Sequence, residues 1–209
     1  MSDPRYQSYR SEMLEFIPNA PQRVLELGCA RGYFADALKK RSPCEYWGVE
    51  LSPELAEEAR TRVDRLIVDD LSRPTASLPQ SFFDVILCND ILEHLADPES
   101  LLKRARDWLV PGGVVVSSIP NLRYFRALDE IVFGKDLKYT EEGIFDRTHL
   151  RFFTSKSICR MFEQSGYEIL RHEGVNASKS FRPRLWSALT LGLLADSKYL
   201  QFATVARPR

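Results

Sequence analysis

Short, nearly continuous apolar runs recur along the first 120 residues of the chain. Such runs predict strands that are covered on both faces. They lie at 23–28, 45–51, 65–70, 83–89 and 114–120. Between them, apolar residues recur at helical spacing, which predicts helices. These lie at 5–16, 32–41, 52–62 and 97–109. The alternation predicts right-handed crossovers and a parallel sheet with helices on both faces.

The last third of the chain follows a different order. A predicted helix at 154–166 leads into a strand at 167–175, and a final strand follows at 199–208. No regular helix is predicted between these two strands, so an antiparallel pair at the sheet edge is the simplest arrangement. We therefore expect an α/β fold: a Rossmann-like, doubly wound, seven-stranded sheet, mostly parallel with an antiparallel last strand.

Two long segments interrupt this pattern, at about 122–153 and 176–198. Connections of this length are commonly lids or substrate loops. We expect residues 1–209 to form a single domain that carries these two lid-like inserts.

Composition and charge argue against several classes of protein. The chain has 209 residues, of which 44% are hydrophobic and 28% are charged, with 29 basic and 29 acidic side chains. A net charge near zero gives no reason to expect nucleic acid as a partner. The four cysteines are dispersed, which predicts neither a disulfide framework nor a metal site. No signal peptide is recognised, and the longest apolar stretch, at 185–195, is shorter than the about 20 residues of a transmembrane helix. We expect a cytoplasmic protein without a transmembrane segment.

The stretch VLELGCARGYF at 24–34 joins a predicted strand to a predicted helix. A dinucleotide-binding turn would have glycine at positions 28, 30 and 33, and only Gly28 is present. Glu26 at the strand end would repel a phosphate and favour an amino group. The turn therefore predicts a nucleotide-like ligand without phosphates.

Polar residues also end the next strands. Glu50 ends the second and suits the two hydroxyls of a ribose, although dinucleotide folds use the same device. Asp70 ends the third and could accept a hydrogen bond from an adenine amine; the adjacent Asp69 is the alternative. Asn89 ends the fourth. Together these groups outline a ligand with a ribose, an adenine and a charged amino-acid part.

Three segments, in order along the chain, carry a family resemblance. ELGCARG, VELSPE and the continuous stretch FDVILCNDILEHLADPESLLKRARDWLVPGGVVVSSIPN resemble the class I S-adenosylmethionine-dependent methyltransferases over residues 23–121. The resemblance implies S-adenosyl-L-methionine as cofactor. Carried over position by position, it implies these cofactor-binding residues: Glu26, Gly28, Cys29, Ala30, Gly32, Glu50, Leu51, Asp70, Leu71 and Asn89. Many members have glycine where this chain has Ala30.

Two histidines are candidates for acting on the methyl acceptor. His149 lies in the first insert among aromatic and charged residues, and His94 follows the fourth strand. We expect His149, and less directly His94, to be catalytic, as a base or by orienting the acceptor. The alternatives are that the insert only packs on the sheet and that Glu93 and His94 only orient the next helix. The stretch DRTHLRFFT at 146–154 resembles bacterial methyltransferases, some of them attached to glycosyltransferases in surface-polysaccharide gene sets, which suggests a sugar or related small molecule.

The second insert places Lys179, Arg182 and Arg184 before an amphipathic apolar stretch. It could form a second wall of the acceptor site, a surface for a lipid-linked substrate, a cover for the sheet edge or the contact of a homodimer. The prediction as a whole is a methyltransferase acting on an oxygen or nitrogen of a small-molecule acceptor. A nicotinamide-dependent oxidoreductase and a catalytically inactive methyltransferase-like binding protein are the alternatives.

Overall fold

The computed structural model describes residues 10–73 and 77–209, and its strands form one seven-stranded sheet. The strands, in chain order, are β1 (Arg23–Leu27), β2 (Glu45–Glu50), β3 (Arg65–Val68), β4 (Phe83–Asn89), β5 (Leu109–Pro120), β6 (Tyr167–Ala177) and β7 (Tyr199–Pro208). In space they follow the order β3-β2-β1-β4-β5-β7-β6. Neighbours among the first five pair in parallel, whereas β7 runs antiparallel to both β5 and β6. The predicted fold class, including its antiparallel last strand, is confirmed.

Helices cover both faces of the sheet. They are α1 (Tyr33–Arg41), α2 (Pro53–Ala59), α3 (Pro98–Trp108), α4 (Phe125–Val132), α5 (Ser155–Gln164) and α6 (Arg182–Leu189). Alternate residues of each strand face opposite ways, so the sheet has two cores. Leu25 and Leu27 of β1 pack in the core that contains α3 and α5. Val24 packs in the other core, with α1.

Several helix starts follow from local chemistry. The Ser52 hydroxyl accepts a hydrogen bond from Leu55 N at 3.3 Å, with Pro53 as the first helical residue. Asp97 caps α3 in the same way, through Ser100 N at 3.0 Å. A side-chain acceptor at this position satisfies a backbone N–H that the helix itself leaves without a partner.

Some predicted boundaries are wrong. The opening segment forms a 3-10 helix over Ser11–Phe16, and the predicted helical residues 5–9 lie outside the described part of the chain. The Pro-Gly-Gly sequence at 111–113 lies inside β5, because α3 already ends at Trp108. β3 ends at Val68, which leaves Asp69 and Asp70 just beyond the strand.

The two inserts contain more regular structure than the sequence predicts. The segment 122–153 carries α4, and the segment 176–198 carries α6 and a 3-10 helix over Ala195–Lys198. They contact each other through Arg182 and Asp129, whose charged groups lie 2.7 Å apart, and through the rings of Phe133 and Trp186. Within the described residues, every helix is too short or too polar to cross a membrane.

Candidate functional site

The carboxyl ends of β1, β2 and β4 meet at one edge of the sheet. Glu26 of β1 lies opposite Gly48 of β2 on one side and Leu87 of β4 on the other. Because these pairings are parallel, Gly28, Glu50 and Asn89 all follow at the same edge. In open α/β sheets this edge, beside the central strands, is where ligands bind.

The turn after β1 is built from left-handed backbone. Gly28, Ala30 and Gly32 have φ of 76°, 46° and 73°. The N–H groups of Gly28 and Cys29 both donate to Val49 O, at 2.8 and 3.0 Å, which fastens the turn to the end of β2. Left-handed backbone costs a residue with a side chain about 1–2 kcal/mol, so Ala30 occupies a position that favours glycine.

Glu50 links this turn to α2. One carboxylate oxygen accepts a hydrogen bond from Ala30 N and the other from Ser52 N, both at 2.9 Å. A carboxylate oxygen has two lone pairs, so each oxygen can still accept a hydrogen bond from a ligand. The Glu50 side chain is therefore held in place with acceptor capacity to spare. Its neighbour Leu51 is exposed.

Glu26 lies beneath the turn, in the core. It is buried, and Tyr46 donates its hydroxyl hydrogen to the carboxyl at 2.8 Å. Burial raises the pKa of Glu26 to about 7; the Tyr46 hydrogen bond opposes this increase and the nearby Glu50 adds to it. The Glu26 carboxyl is thus close to its titration midpoint at neutral pH.

The two aspartates after β3 have different surroundings. Asp70 accepts a hydrogen bond from Ser72 N at 2.8 Å, and hydrogen bonds from Ser72 lower the pKa of Asp70. Asp69 N donates to Glu50 O at 3.1 Å, and Asp69 lines a narrow space beside Leu71. Both aspartates remain candidates for the adenine contact that the sequence favours for Asp70.

Asn89 ends β4 with an unsatisfied side chain. Both polar atoms of its amide are buried, and neither has a hydrogen-bond partner among residues 10–73 and 77–209. Buried polar groups in native structures nearly always have partners. An unpaired amide at this edge is suited to the polar amino-acid part of a ligand.

Asp90, for which the sequence predicts no role, follows directly. Its φ of 53° turns the chain away from the strand. The Asp90 carboxylate accepts hydrogen bonds from Arg10 at 2.7 Å and from Gln201 at 2.6 Å. Burial raises the pKa of Asp90, and the Arg10 charge opposes that increase. Arg10 and Gln201 lie 80 and 111 residues away in the chain, so no local pattern signals this network.

The turn at Asp90 brings the two predicted histidines together. His94 ends a 3-10 helix over Leu92–His94, and its ring centroid lies 4.6 Å from that of His149. Burial lowers the pKa of His94, and the neighbouring His149 lowers it further. The adjacent Glu93 is also buried, and this burial, together with the Asp90 charge, raises the pKa of Glu93 well above its usual range.

Backbone hydrogen bonds hold the first insert against Glu93. Leu150 N and Arg151 N both donate to the carbonyl oxygen of Glu93, at 2.9 and 3.0 Å. The ring of Phe152 lies near those of His149, Phe145 and Tyr139, with centroid distances of 6.0–6.5 Å. Two further aromatics of this insert lie elsewhere: Phe153 packs in the main core and Phe133 against Trp186.

A family model described as a methyltransferase domain matches residues 3–172. The chain belongs to this family. It is an S-adenosylmethionine-dependent methyltransferase. Membership of this family sets aside the nicotinamide-dependent alternative.

Named relatives agree with this family. The ubiquinone biosynthesis O-methyltransferase of Aeromonas salmonicida is 28% identical over 186 residues, which cover 86% of this chain and 74% of that protein. The trans-aconitate 2-methyltransferase of Methylobacterium radiotolerans is 34% identical over 113 residues, covering 53% of this chain and 43% of that protein. The solved S-adenosylmethionine-dependent methyltransferase from Mesorhizobium loti has the same fold, with a TM-score of 0.68 at 18% identity, covering 96% of this chain and 98% of that one.

The strand-end groups of this methyltransferase fit its cofactor chemically. The orphaned amide of Asn89 offers both a donor and an acceptor, and Glu50 offers two acceptors to a diol. Ile91 covers the turn: a Cβ added to Gly28 would lie 2.0 Å from Ile91 Cδ1. The turn therefore requires glycine at position 28 both for its backbone conformation and for space.

We expect Gly28→Ala to destabilise the methyltransferase and to weaken binding of S-adenosylhomocysteine, measured by chemical unfolding and calorimetric titration. The control is Gly143→Ala, where φ is 88° and an added Cβ meets nothing within 4 Å. In the control, the free energy of unfolding should fall only by the cost of the left-handed backbone. In Gly28→Ala it should fall by about 1–3 kcal/mol more, because the added methyl group overpacks the turn. Equal losses in the two variants would contradict the predicted clash with Ile91.

The raised pKa of Glu26 predicts a pH dependence of stability. The folded protein holds the Glu26 proton up to about pH 7, whereas the free side chain has a pKa of 4.5. Stability from this group is therefore complete below pH 4.5 and is lost as the pH rises through 7. Wild type should lose a few kcal/mol of unfolding free energy relative to Glu26→Gln over this interval, measured by urea denaturation at several pH values. A difference between the two proteins that does not change with pH would show that Glu26 is not perturbed.

Proposed function

We propose that this enzyme transfers the methyl group of S-adenosylmethionine to a hydroxyl oxygen of a small molecule. The observation that carries the proposal is the pair of neighbouring imidazoles, His94 and His149, where the first insert meets the carboxyl end of β4. A hydroxyl acceptor must lose its proton during transfer, and a neutral imidazole is the side chain best suited to take it near neutral pH. The relatives include an O-methyltransferase of ubiquinone biosynthesis and a trans-aconitate 2-methyltransferase, which supports a small acceptor.

The residues around the turn would hold the cofactor. Glu50 would accept from the ribose hydroxyls, and Asp70 from the adenine amine, with Leu51 and Leu71 beside them. Asn89 and the turn of Gly28, Cys29, Ala30 and Gly32 would surround the amino-acid part. Glu26 would place its charge beneath the positive amino group, which favours the ionised carboxylate when that group is present.

His149 is the better candidate for the base. Its Nδ1 lies 2.9 Å from the carbonyl oxygen of Ile144, which can only accept. Nδ1 therefore carries the hydrogen, and Nε2 keeps the lone pair that can take a proton. The bound cofactor supplies the electrophilic methyl group, and the enzyme's own contribution is to align the acceptor, remove its proton and exclude water.

The two inserts would form the walls of the acceptor site within a single domain. The first is fastened by the carbonyl of Glu93 and contributes the aromatic rings of Tyr139, Phe145 and Phe152 beside His149. The second contacts the first through Arg182 and Asp129. Ring faces and charged groups in one place suit a polar small molecule such as a sugar, a phenol or a carboxylic acid.

The test is methyl transfer by wild type and by His149→Asn, using labelled S-adenosylmethionine and a panel of catechol, trans-aconitate and hexoses. With a hydroxyl acceptor that wild type methylates, His149→Asn should lower kcat by about 100-fold or more, the range for a lost acid–base group. Its affinity for S-adenosylhomocysteine should be unchanged, because His149 lies on the acceptor side.

The control is His172→Asn. The His172 ring is hydrogen-bonded to the hydroxyls of Ser155 and Thr204, at 2.9 Å each, and stacks on Phe202. It has no part in the contact between His94 and His149. Loss of the His172 imidazole should leave kcat within about twofold of wild type, which corresponds to a change of about 0.4 kcal/mol in the activation free energy. Full activity of His149→Asn would remove His149 from the proposed chemistry. Transfer only to amines would contradict a hydroxyl acceptor.

A further inference from the structure

Glu93, His94 and His149 place three potential metal ligands in one cluster. One ligand atom from each side chain lies within 4.8 Å of those from the other two. Glu93 and His94 are consecutive in the chain, and His149 is brought to them by the first insert. Sequence spacing does not predict this cluster, because the third member comes from a distant segment.

The Glu93 carboxyl group is buried without a hydrogen-bond partner among the described residues, and the charge of Arg10 opposes only part of the effect of burial on its pKa. The residue is 1% exposed, and neither carboxylate oxygen has a hydrogen-bond partner in the described ranges 10–73 and 77–209. Burying an unpaired carboxylate costs several kcal/mol, which either a proton or a cation can offset. One carboxylate oxygen of Glu93 lies within 4.8 Å of a nitrogen of each imidazole, and this grouping of potential ligands favours a cation as the missing partner.

Both imidazoles direct their lone pairs through Nε2. His149 Nδ1 donates to Ile144 O at 2.9 Å. His94 Nδ1 faces the carbonyl oxygen of Thr148 at 3.2 Å and its hydroxyl at 3.1 Å. That hydroxyl donates its own hydrogen to Asp146 at 2.6 Å, so it accepts from His94. Histidines that bind metals hold their second nitrogen in this manner, by a carbonyl or a chain leading to a carboxylate.

We propose that Glu93, His94 and His149 bind one divalent transition-metal ion at the edge of the acceptor site. Two imidazoles with one carboxylate suit zinc, iron or cobalt better than magnesium or calcium, which prefer oxygen ligands. Three protein ligands leave coordination positions open to water or substrate. Zn–N and Zn–O bonds of about 2.0–2.2 Å require the three side chains to approach one another by about 1 Å.

An ion at this place would change how the acceptor is activated. It would occupy the Nε2 lone pair of His149 and would bind the acceptor oxygen directly, which lowers the pKa of a bound hydroxyl. The proposed hydroxyl acceptor remains compatible, because the proton of the ion-bound hydroxyl would pass to solvent water, and His149 would then act as a ligand rather than as the base. Ion binding itself can be measured without cofactor or acceptor, so its failure is separate from failure of the proposed O-methylation.

The experiment is a titration of the chelator-treated full chain with Co²⁺, followed by visible absorption and calorimetry, and then with Zn²⁺ in competition. Wild type should bind one Co²⁺ per chain with micromolar or tighter affinity and develop d–d absorption bands, and Zn²⁺ should displace it. Mg²⁺ at the same concentration should not. Glu93→Gln and His149→Ala should each weaken Co²⁺ binding at least tenfold and alter the absorption bands.

His172→Ala is the matched control, because it removes a histidine outside the cluster. Circular dichroism of each variant establishes that it is folded; if Glu93→Gln or His149→Ala fails to fold, Thr148→Val, which removes the hydroxyl beside His94 Nδ1, should weaken binding about tenfold instead. Folded wild type without Co²⁺ or Zn²⁺ binding up to millimolar concentration would overturn the proposal. So would unchanged binding in His149→Ala, or an equal loss in His172→Ala.

Discussion

The parallel pairing of β1 with both β2 and β4 is the constraint on which the rest of the site depends. Those two pairings bring the glycine turn, Glu50 and Asn89 to one edge of the sheet, although they come from three separate parts of the chain. The same pairing buries β1 on both faces, so alternation along the strand forces Glu26 into the core beside Tyr46. The buried acid is therefore a consequence of the sheet, and it places an ionisable carboxyl group beneath the turn.

The second determinant is the change of direction after β4. Asp90 adopts a left-handed backbone, and its carboxylate is held by Arg10 and Gln201 from distant parts of the chain. This turn lays Ile91 over Gly28 and points the following residues toward the first insert. The insert then returns two backbone N–H groups to Glu93 O. The sheet edge formed by the ends of β1, β2 and β4 is thus adjacent to the His94–His149 pair, because residues 89–94 join them.

Local chemistry made much of this predictable. Alternating strands and helices indicate the sheet, and polar residues at successive strand ends indicate which edge carries the site. The capped start at Ser52 follows from side-chain hydrogen bonding that acts within three residues. The contacts that complete the site act over longer separations. Arg10 with Asp90, and Thr148 with His94, are tertiary contacts that periodicity does not contain. Glu93 adjoins His94 in sequence, but its significance comes from burial without a hydrogen-bond partner in the described part of the chain, which only packing determines.

The central claim is that the methyltransferase holds its cofactor at the ends of β1, β2 and β4, and calorimetric titration with S-adenosylhomocysteine tests it most directly. Wild type should bind one molecule per chain. Glu50→Gln should bind at least about tenfold more weakly, since hydrogen bonds to charged groups contribute about 1.5–3 kcal/mol. Glu57→Gln, a change at an exposed residue of α2 paired with Arg60, should bind like wild type. Folded wild type that does not bind, or Glu50→Gln that binds as tightly as wild type, would contradict the account.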